Sequence, residues 1–251
     1  MQDDQPLVSI VTPCFNAAGT LRRALDSVLE QTYPHIEMVV MDGGSTDGTV
    51  EILREYAHRL GYWVSEPDHG ISNAFNKGVG KARGVLIGIL NADDWLEPDA
   101  IATVVAAHLN NPEAVVHGDM CYWLSATRAM ISPRRPEIDL DRLPYHPATF
   151  VPAVIYERHG MFDESFRYAM DTDFLVRIFQ AHVRFVYVPR VLANMSRGGV
   201  STSNVAAPYK ERHAIYRRAG MSPLRNQMLY VFFVGRMWLR LWIEKYLLRS
   251  K

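Results

Sequence analysis

Several features that place a chain in a class at once are scarce here. Cysteine is nearly absent: Cys14 and Cys121 are the only two in 251 residues, far apart and at no metal-ligand spacing. That argues against a disulfide framework and for a reducing, cytoplasmic setting. Net charge is absent as well. Lys+Arg and Asp+Glu are both 27, so no overall field draws nucleic acid, and any basic patch is local. The first residues, MQDDQ, are acidic and polar rather than basic and then apolar, so no secretory leader is read. Without one, the sequon Asn194-Met195-Ser196 is taken as coincidence. No internal repeat is visible. With 48% hydrophobic and 22% charged side chains, the chain has the makings of an ordinary globular protein with one large core or two small ones.

What is present is an alternation of two textures. Short β-branched apolar runs at 7–11, 36–41, 62–64, 85–90 and 114–117 read as strands. Between them, 20–30, 47–60, 71–82 and 98–109 have helical periodicity; Leu21, Ala24, Leu25, Val28 and Leu29 share one face of the first, and Asp47 is placed to cap the second. Strands alternating with helices imply an α/β fold with a mostly parallel central sheet flanked by helices, a Rossmann-like half. After about Asp119 the texture changes. Residues 121–131 read as a strand or hairpin, 184–188 as a strand, and 153–159, 172–181 and 208–218 as helices. The expected organisation is 1–118, 119–204 as the other half of the same domain, and 205–251 as a C-terminal helical extension.

In parallel sheets, ligands bind beyond the carboxyl ends of the strands. Three motifs fall there: VTPCFNAAGTL, MDGGSTDGT and GILNADDWL. In the last, Asp93 and Asp94 follow a buried strand directly. Adjacent carboxylates repel unless a proton or a cation lies between them, and Mg²⁺ takes one or two carboxylates plus phosphate oxygens. A turn with a helix cap is the plain alternative for each motif taken alone. Together, the three ends line a crevice fit for a nucleotide, with Asp42 placed to accept from a base or ribose.

These stretches, with SEPDHGISNAFNKGVGKARG and MDTDFLVRI, resemble glycosyltransferase family 2 over roughly the first 190 residues. The resemblance implies a GT-A fold, a nucleotide-diphosphate-sugar donor such as a UDP-sugar, a divalent metal (Mn or Mg) and inversion. It implies a nucleoside site of Asp42 with Pro13, Phe15 and Asn16, and Asp68 near the donor. Asn76-Lys77-Gly78 matches a family motif, and Lys77 either pairs with a phosphate or is simply an exposed helix lysine. Asn91-Ala92-Asp93 stands at the metal motif with Asp94 next, so Asp93 and Asp94 carry the metal; Asp171 matches the catalytic base. Two departures stand out: Asp42-Gly43 where the family often has two aspartates, and Asn91 where its metal motif often begins with Asp.

Two further residues have competing roles. His146, in HPATF, falls on the acceptor side and either touches acceptor or diphosphate or is structural. Arg197, in RGGVS, belongs either to a loop closing over the diphosphate or to a simple turn. A dinucleotide fingerprint and a phosphate-binding loop both fail on order and spacing around Gly78–Gly84. A glycoside hydrolase with Asp93 and Asp171 leaves the turn motifs unexplained. A nucleotide-sugar-binding module without turnover remains open because of Asn91. The C-terminal segment is amphipathic, with Arg236, Arg240 and Glu244 at four-residue spacing, and its uncharged run 227–235 falls short of the about 20 residues that span a bilayer. It suits either a membrane surface, presenting the site to a glycan or lipid-linked acceptor on the cytoplasmic face, or packing on the domain or a homo-oligomer partner.

Overall fold

The computed structural model describes residues 5–125, 128–132, 138–140, 142–196 and 206–246. The apolar runs become strands β1 (Val8–Cys14), β2 (Ile36–Asp42), β3 (Tyr62–Ser65) and β4 (Leu86–Ile89). They pair in parallel in the order β3-β2-β1-β4, with helices α1 (Leu21–Leu29), α2 (Thr49–Tyr56) and α3 (Ile71–Lys81) as crossovers. Successive strand side chains point to opposite faces, so each central strand feeds two cores. Val8, Ile10, Met38 and Val40 pack with Leu21, Leu25 and Ile52 on one side. Val11, Val39 and Met41 pack with Ala74, Phe75 and Val79 on the other.

Beyond β4 the sheet becomes mixed. Strand β8 (Thr149–Pro152) runs antiparallel to β4, with Gly88 opposite Phe150. Next to it lies β6 (Val115–Ser125), antiparallel to β8 and parallel to β9 (Phe185–Ser196). The two-residue β5 (Trp95–Leu96) ends the order antiparallel to β9, and β7 (Arg128–Ser132) forms a hairpin with β6. Helix α4 (Ala100–Leu109) joins the first core, and α5 (Ala153–His159), α6 (Met170–Gln180) and α7 (Ala207–Arg218) join the second. Helix α8 (Pro223–Tyr246) lies on α7, where Phe233 stacks on Tyr209.

Five elements differ from the expectation. The strands at 114–117 and 184–188 run on to Ser125 and Ser196 because they pair along their length, out to Trp123 opposite Ser196, and their half-exposed faces lack apolar alternation. The helix over 47–60 ends at Tyr56 and continues only as a single tight turn, Ala57–Arg59. Strands β5 and β8 were not anticipated; each is too short to show a period.

Close packing of α3 on β1 depends on Gly78. A Cβ there would lie 2.2 Å from Cγ1 of Val11, a fully buried and stiff side chain. An overlap this deep falls in the upper half of the range that overpacking costs, about 2–3 kcal/mol, and helix propensity returns only about 1. Gly78→Ala is therefore expected to destabilise the protein by about 1–2 kcal/mol in a denaturant titration; an unchanged midpoint would contradict this contact.

Candidate active site

Parallel strands place their turns on one rim. β1 and β2 end side by side, Cys14 opposite Asp42, while β4 ends with Ile89 opposite Val11. β8 adds a fourth piece: being antiparallel to β4, it begins where β4 ends. The tight turn leading into it, His146–Ala148, thereby meets the residues that follow β4.

The first two turns are bolted together. Asn16, in the left-handed region at φ 49°, accepts at Oδ1 from the Thr46 N–H at 2.9 Å, and its own N–H donates to Ser45 Oγ at 2.7 Å. Asp42 is buried and turned inward, accepting from the Gly44 and Ser45 N–H groups at 3.2 and 2.9 Å and from Ser65 Oγ at 2.6 Å. Ser45 Oγ and the Cys14 thiol also donate to it. Burial, then Asp42, pushes the Cys14 thiol pKa up, so it stays protonated. Asp42 thus fixes the second turn, and its oxygens are fully used. Above it, Phe15 is exposed, with Asp68 nearby: a Cβ on Gly43 would lie 2.6 Å from Asp68 Oδ2 and 3.4 Å from the Phe15 ring. Gly43, where the family often has a second aspartate, keeps this slot open. Pro13 is buried within β1 beneath it.

The third turn carries Asn91, Ala92, Asp93 and Asp94. Trp95 pairs with Asn194, which sets Ser196 against the two aspartates. The Ser196 N–H donates to Asp94 Oδ1 at 3.2 Å and its hydroxyl donates to the Asp93 carbonyl at 2.7 Å. Arg23 also donates to that carbonyl, at 2.8 Å, with its guanidinium 3.7 Å above the Trp95 ring. Asp94 is almost wholly buried and accepts at Oδ2 from Asn91 Nδ2 at 3.3 Å. Burial, then the neighbouring Asp93 charge, pushes its pKa up to about 7. Burial also raises Asp93, whose half-buried carboxylate meets no side-chain donor among the described residues.

A fourth carboxylate comes from α6. Asp171 sits in the first turn, where a helix N-terminus favours an anion. Its Oδ1 accepts from the Thr172 N–H at 2.6 Å and its Oδ2 lies 3.0 Å from His146 Nδ1. Nε2 of the same ring lies 3.1 Å from Asn91 Nδ2. Burial works against the ionised Asp171, but the His146 ring, the Thr172 N–H and Arg212 of α7 outweigh it and hold its pKa below the usual carboxylate range. Glu211, one residue before Arg212, accepts from the N–H groups of Arg167, Tyr168 and Ala169 at 3.0, 2.8 and 2.8 Å, and so fixes the start of α6.

The structure therefore brings Asn91, Asp93, Asp94, His146 and Asp171 together at one end of the sheet. Asn76 and Lys77 have protein partners outside that group: Asn76 clamps the Phe162 backbone at 2.9 Å in both directions, and Lys77 Nζ pairs with Glu66 at 2.7 Å. Arg197 and its loop lie outside the described residues. Arg23, Ser196, Glu211 and Arg212 were not singled out from the sequence. Ser196 could have been found only through the full length of β9, and the other three only through tertiary packing.

A parallel half of alternating strands and helices fused to a mixed half, with carboxylates on the shared rim, is the architecture of GT-A transferases, and solved structures agree. TarS from S. aureus in complex with UDP-GlcNAc superposes with a TM-score of 0.69 at 17% identity, covering 96% of this chain and 73% of that one. A longer TarS chain, of which this chain spans 43%, gives 0.67. The mannosyltransferase PcManGT from Pyrobaculum calidifontis, in complex with GDP-Man and Mn²⁺, gives 0.66 at 19% identity over 96% of this chain and 75% of that one. In sequence, a PGL/p-HBAD biosynthesis glycosyltransferase of Mycobacterium tuberculosis is 32% identical over 230 residues, 86% of this chain and 87% of that protein. The glycosyl transferase family 2 profile matches residues 9–170. The chain belongs to that family, and Asp171 follows the matched segment directly.

The raised pKa of Asp94 has a consequence for stability. In protein freed of divalent cations, the native state keeps a proton that the unfolded chain releases near about pH 4. Native protein is then the better proton binder between about pH 4 and 7, so stability declines as pH rises through that window. Asp94→Asn is expected to flatten the decline, measured as urea midpoints at about pH 5 and about pH 8; equal slopes in both proteins would count against a buried, protonated Asp94.

Proposed function

We propose that this glycosyltransferase moves a sugar from a nucleotide-diphosphate sugar, a UDP-sugar, to a hydroxyl of a glycan or lipid-linked acceptor, with inversion by single displacement. The observation that carries this reading is the contact chain from Asp94 through Asn91 and His146 to Asp171, which joins the donor-side turn to a carboxylate suited to deprotonating an acceptor. In it, residues 1–118 hold the donor and 119–204 supply the acceptor side. Phe15 and Asp68 flank the nucleobase over Gly43, with Asp42 bracing the turn beneath. Asp171, kept ionised at neutral pH, accepts the hydroxyl proton as the hydroxyl attacks the anomeric carbon opposite the leaving group.

Among the described residues, no three His, Cys, Asp or Glu side chains gather to hold a metal by themselves. A half-buried Asp93 that meets no side-chain donor among the described residues nonetheless fits a hard cation that a diphosphate helps to hold, as Mg²⁺ and Mn²⁺ sites with phosphate ligands require. Asp93 would be the residue that holds it, while Asp94, engaged by Ser196 and Asn91, holds the turn. Such a cation would supply neutralisation of the charge that grows on a departing nucleoside diphosphate.

A panel of UDP- and GDP-sugars, screened by calorimetry with and without Mn²⁺, is expected to give a metal-dependent hit. Asp171→Asn is expected to lower turnover by about 100-fold or more while leaving nucleotide affinity unchanged. Binding without transfer or hydrolysis by the wild-type protein would instead favour a nucleotide-sugar-binding module, a reading that Asn91 at the metal motif keeps in view.

The acceptor side of this reading includes α8. Its inner face meets α7 through Tyr230 on His213 and Phe233 on Tyr209. Its outer face exposes Leu224, Met228, Val231, Phe232 and Trp238, a stripe at helical spacing. Among the described residues no helix is long and apolar enough to cross a membrane. Residues 223–251 carry six basic side chains and one acidic, a bias that favours an anionic lipid surface over a second copy of the same helix. Full-length protein is expected to float with vesicles containing phosphatidylglycerol but not with phosphatidylcholine alone, and Val231→Ser/Phe232→Ser to lose flotation. Concentration-dependent dimerisation without flotation would assign the stripe to self-association instead.

A further inference from the structure

Asn91 Nδ2 lies 3.3 Å from Asp94 Oδ2 and 3.1 Å from His146 Nε2, while Asn91 Oδ1 is buried without a hydrogen-bond partner among the described residues. The amide orientation follows from Asp171. Its ionised carboxylate, 3.0 Å from Nδ1, takes the single proton of the neutral ring, which leaves Nε2 with only a lone pair. The Asn91 nitrogen therefore faces Nε2, and its second N–H is directed at Asp94 Oδ2. A carboxylate at position 91 could not do this: it has no N–H for either neighbour, and its charge would add to the burial and the Asp93 charge that already disfavour an ionised Asp94.

We propose that His146 is a positioning residue for Asp171, and that Asn91 sets its tautomer. The inference rests on reading Asp171 as the base. The Nδ1–H bond holds Asp171 Oδ2 from one side, the Thr172 N–H holds Oδ1 from the other, and the remaining lone pairs keep one direction for an acceptor hydroxyl. Phe75 backs the His146 ring at 6.2 Å and limits its rotation. The amide at position 91 is thus the residue type this geometry requires, and the departure from the usual first carboxylate of the metal motif is the counterpart of a histidine at 146. The charged groups around the pair are Asp93 and Asp94 on the turn after β4 and Arg212 on α7.

Two substitutions separate the ring's two nitrogens. An asparagine amide reaches about as far as Nδ1 and a glutamine amide about as far as Nε2, so His146→Asn keeps the donor to Asp171 and His146→Gln loses it. In a nucleotide-release assay with the donor panel, His146→Gln is expected to lower kcat by about 10- to 100-fold, with KM for the donor and UDP affinity unchanged. His146→Asn is expected to recover most of that loss. Equal losses in the two variants, or a loss confined to KM, would overturn the proposal. If Asp171→Asn itself keeps turnover, the base reading fails rather than this one. A readout independent of turnover is the ring proton of His146 in ¹⁵N spectra above its titration: Nδ1–H in the wild type, changing to Nε2–H in Asn91→Asp. An Nε2–H ring in the wild type, or no change in Asn91→Asp, would remove Asn91 from the arrangement.

Discussion

The antiparallel join of β8 to β4 is the constraint on which the site depends. In an all-parallel sheet every strand starts at the far edge, and a residue just before a strand cannot reach the rim where the others end. Reversing one strand brings its first residues to that rim. His146 and Asn91 meet for this reason, although 55 positions separate them. The join has its own steric condition: Gly88 lies opposite Phe150, and a Cβ there would fall 2.8 Å from the aromatic ring. The ring occupies the space the glycine leaves open, and the two strands close to pairing distance.

The second theme is how buried carboxylates are kept from repelling one another. Nature's usual remedies are cations and hydrogen bonds, and the rim uses them unevenly. Asp42 is surrounded by donors and serves the framework. Asp171 has a helix N-terminus, an N–H and an imidazole. Asp94 has a backbone N–H and an amide, too little to offset its burial, and Asp93 meets no side-chain donor among the described residues. The rim is therefore graded, from Asp42, whose oxygens the protein satisfies, to Asp93, the least engaged of the four among the described residues.

Much of this was legible in the sequence, and the rest was hidden for physical reasons. The βα alternation announced the parallel half, because strands buried on both faces read as near-continuous apolar runs; Met38 to Met41 is such a run. β8 and β5 were silent, since four and two residues carry no period. Asp42, Asp93 and Asp171 could be picked out because strand ends and helix starts are where turn residues and charges stand out. That Asn76 and Lys77 are held by Phe162 and Glu66 could not be seen, because the same amide and ammonium groups suit a phosphate equally well. Ser196 and Arg23 act through backbone atoms of Asp93, and a contact to a carbonyl leaves no mark on residue type.

Glu211 bears on modularity. By gathering three backbone N–H groups of the segment before α6, it makes α7 part of the support of Asp171, although α7 belongs by sequence to the C-terminal extension. A boundary drawn at residue 205 therefore cuts through a packed unit: α7 holds the start of α6, and α8 is held in turn by Arg225 on Asp139 at 2.7 Å and by Asn226 on the His213 carbonyl at 2.9 Å. What looks in sequence like a tail added to a finished domain is, in its first turns, one of the domain's walls.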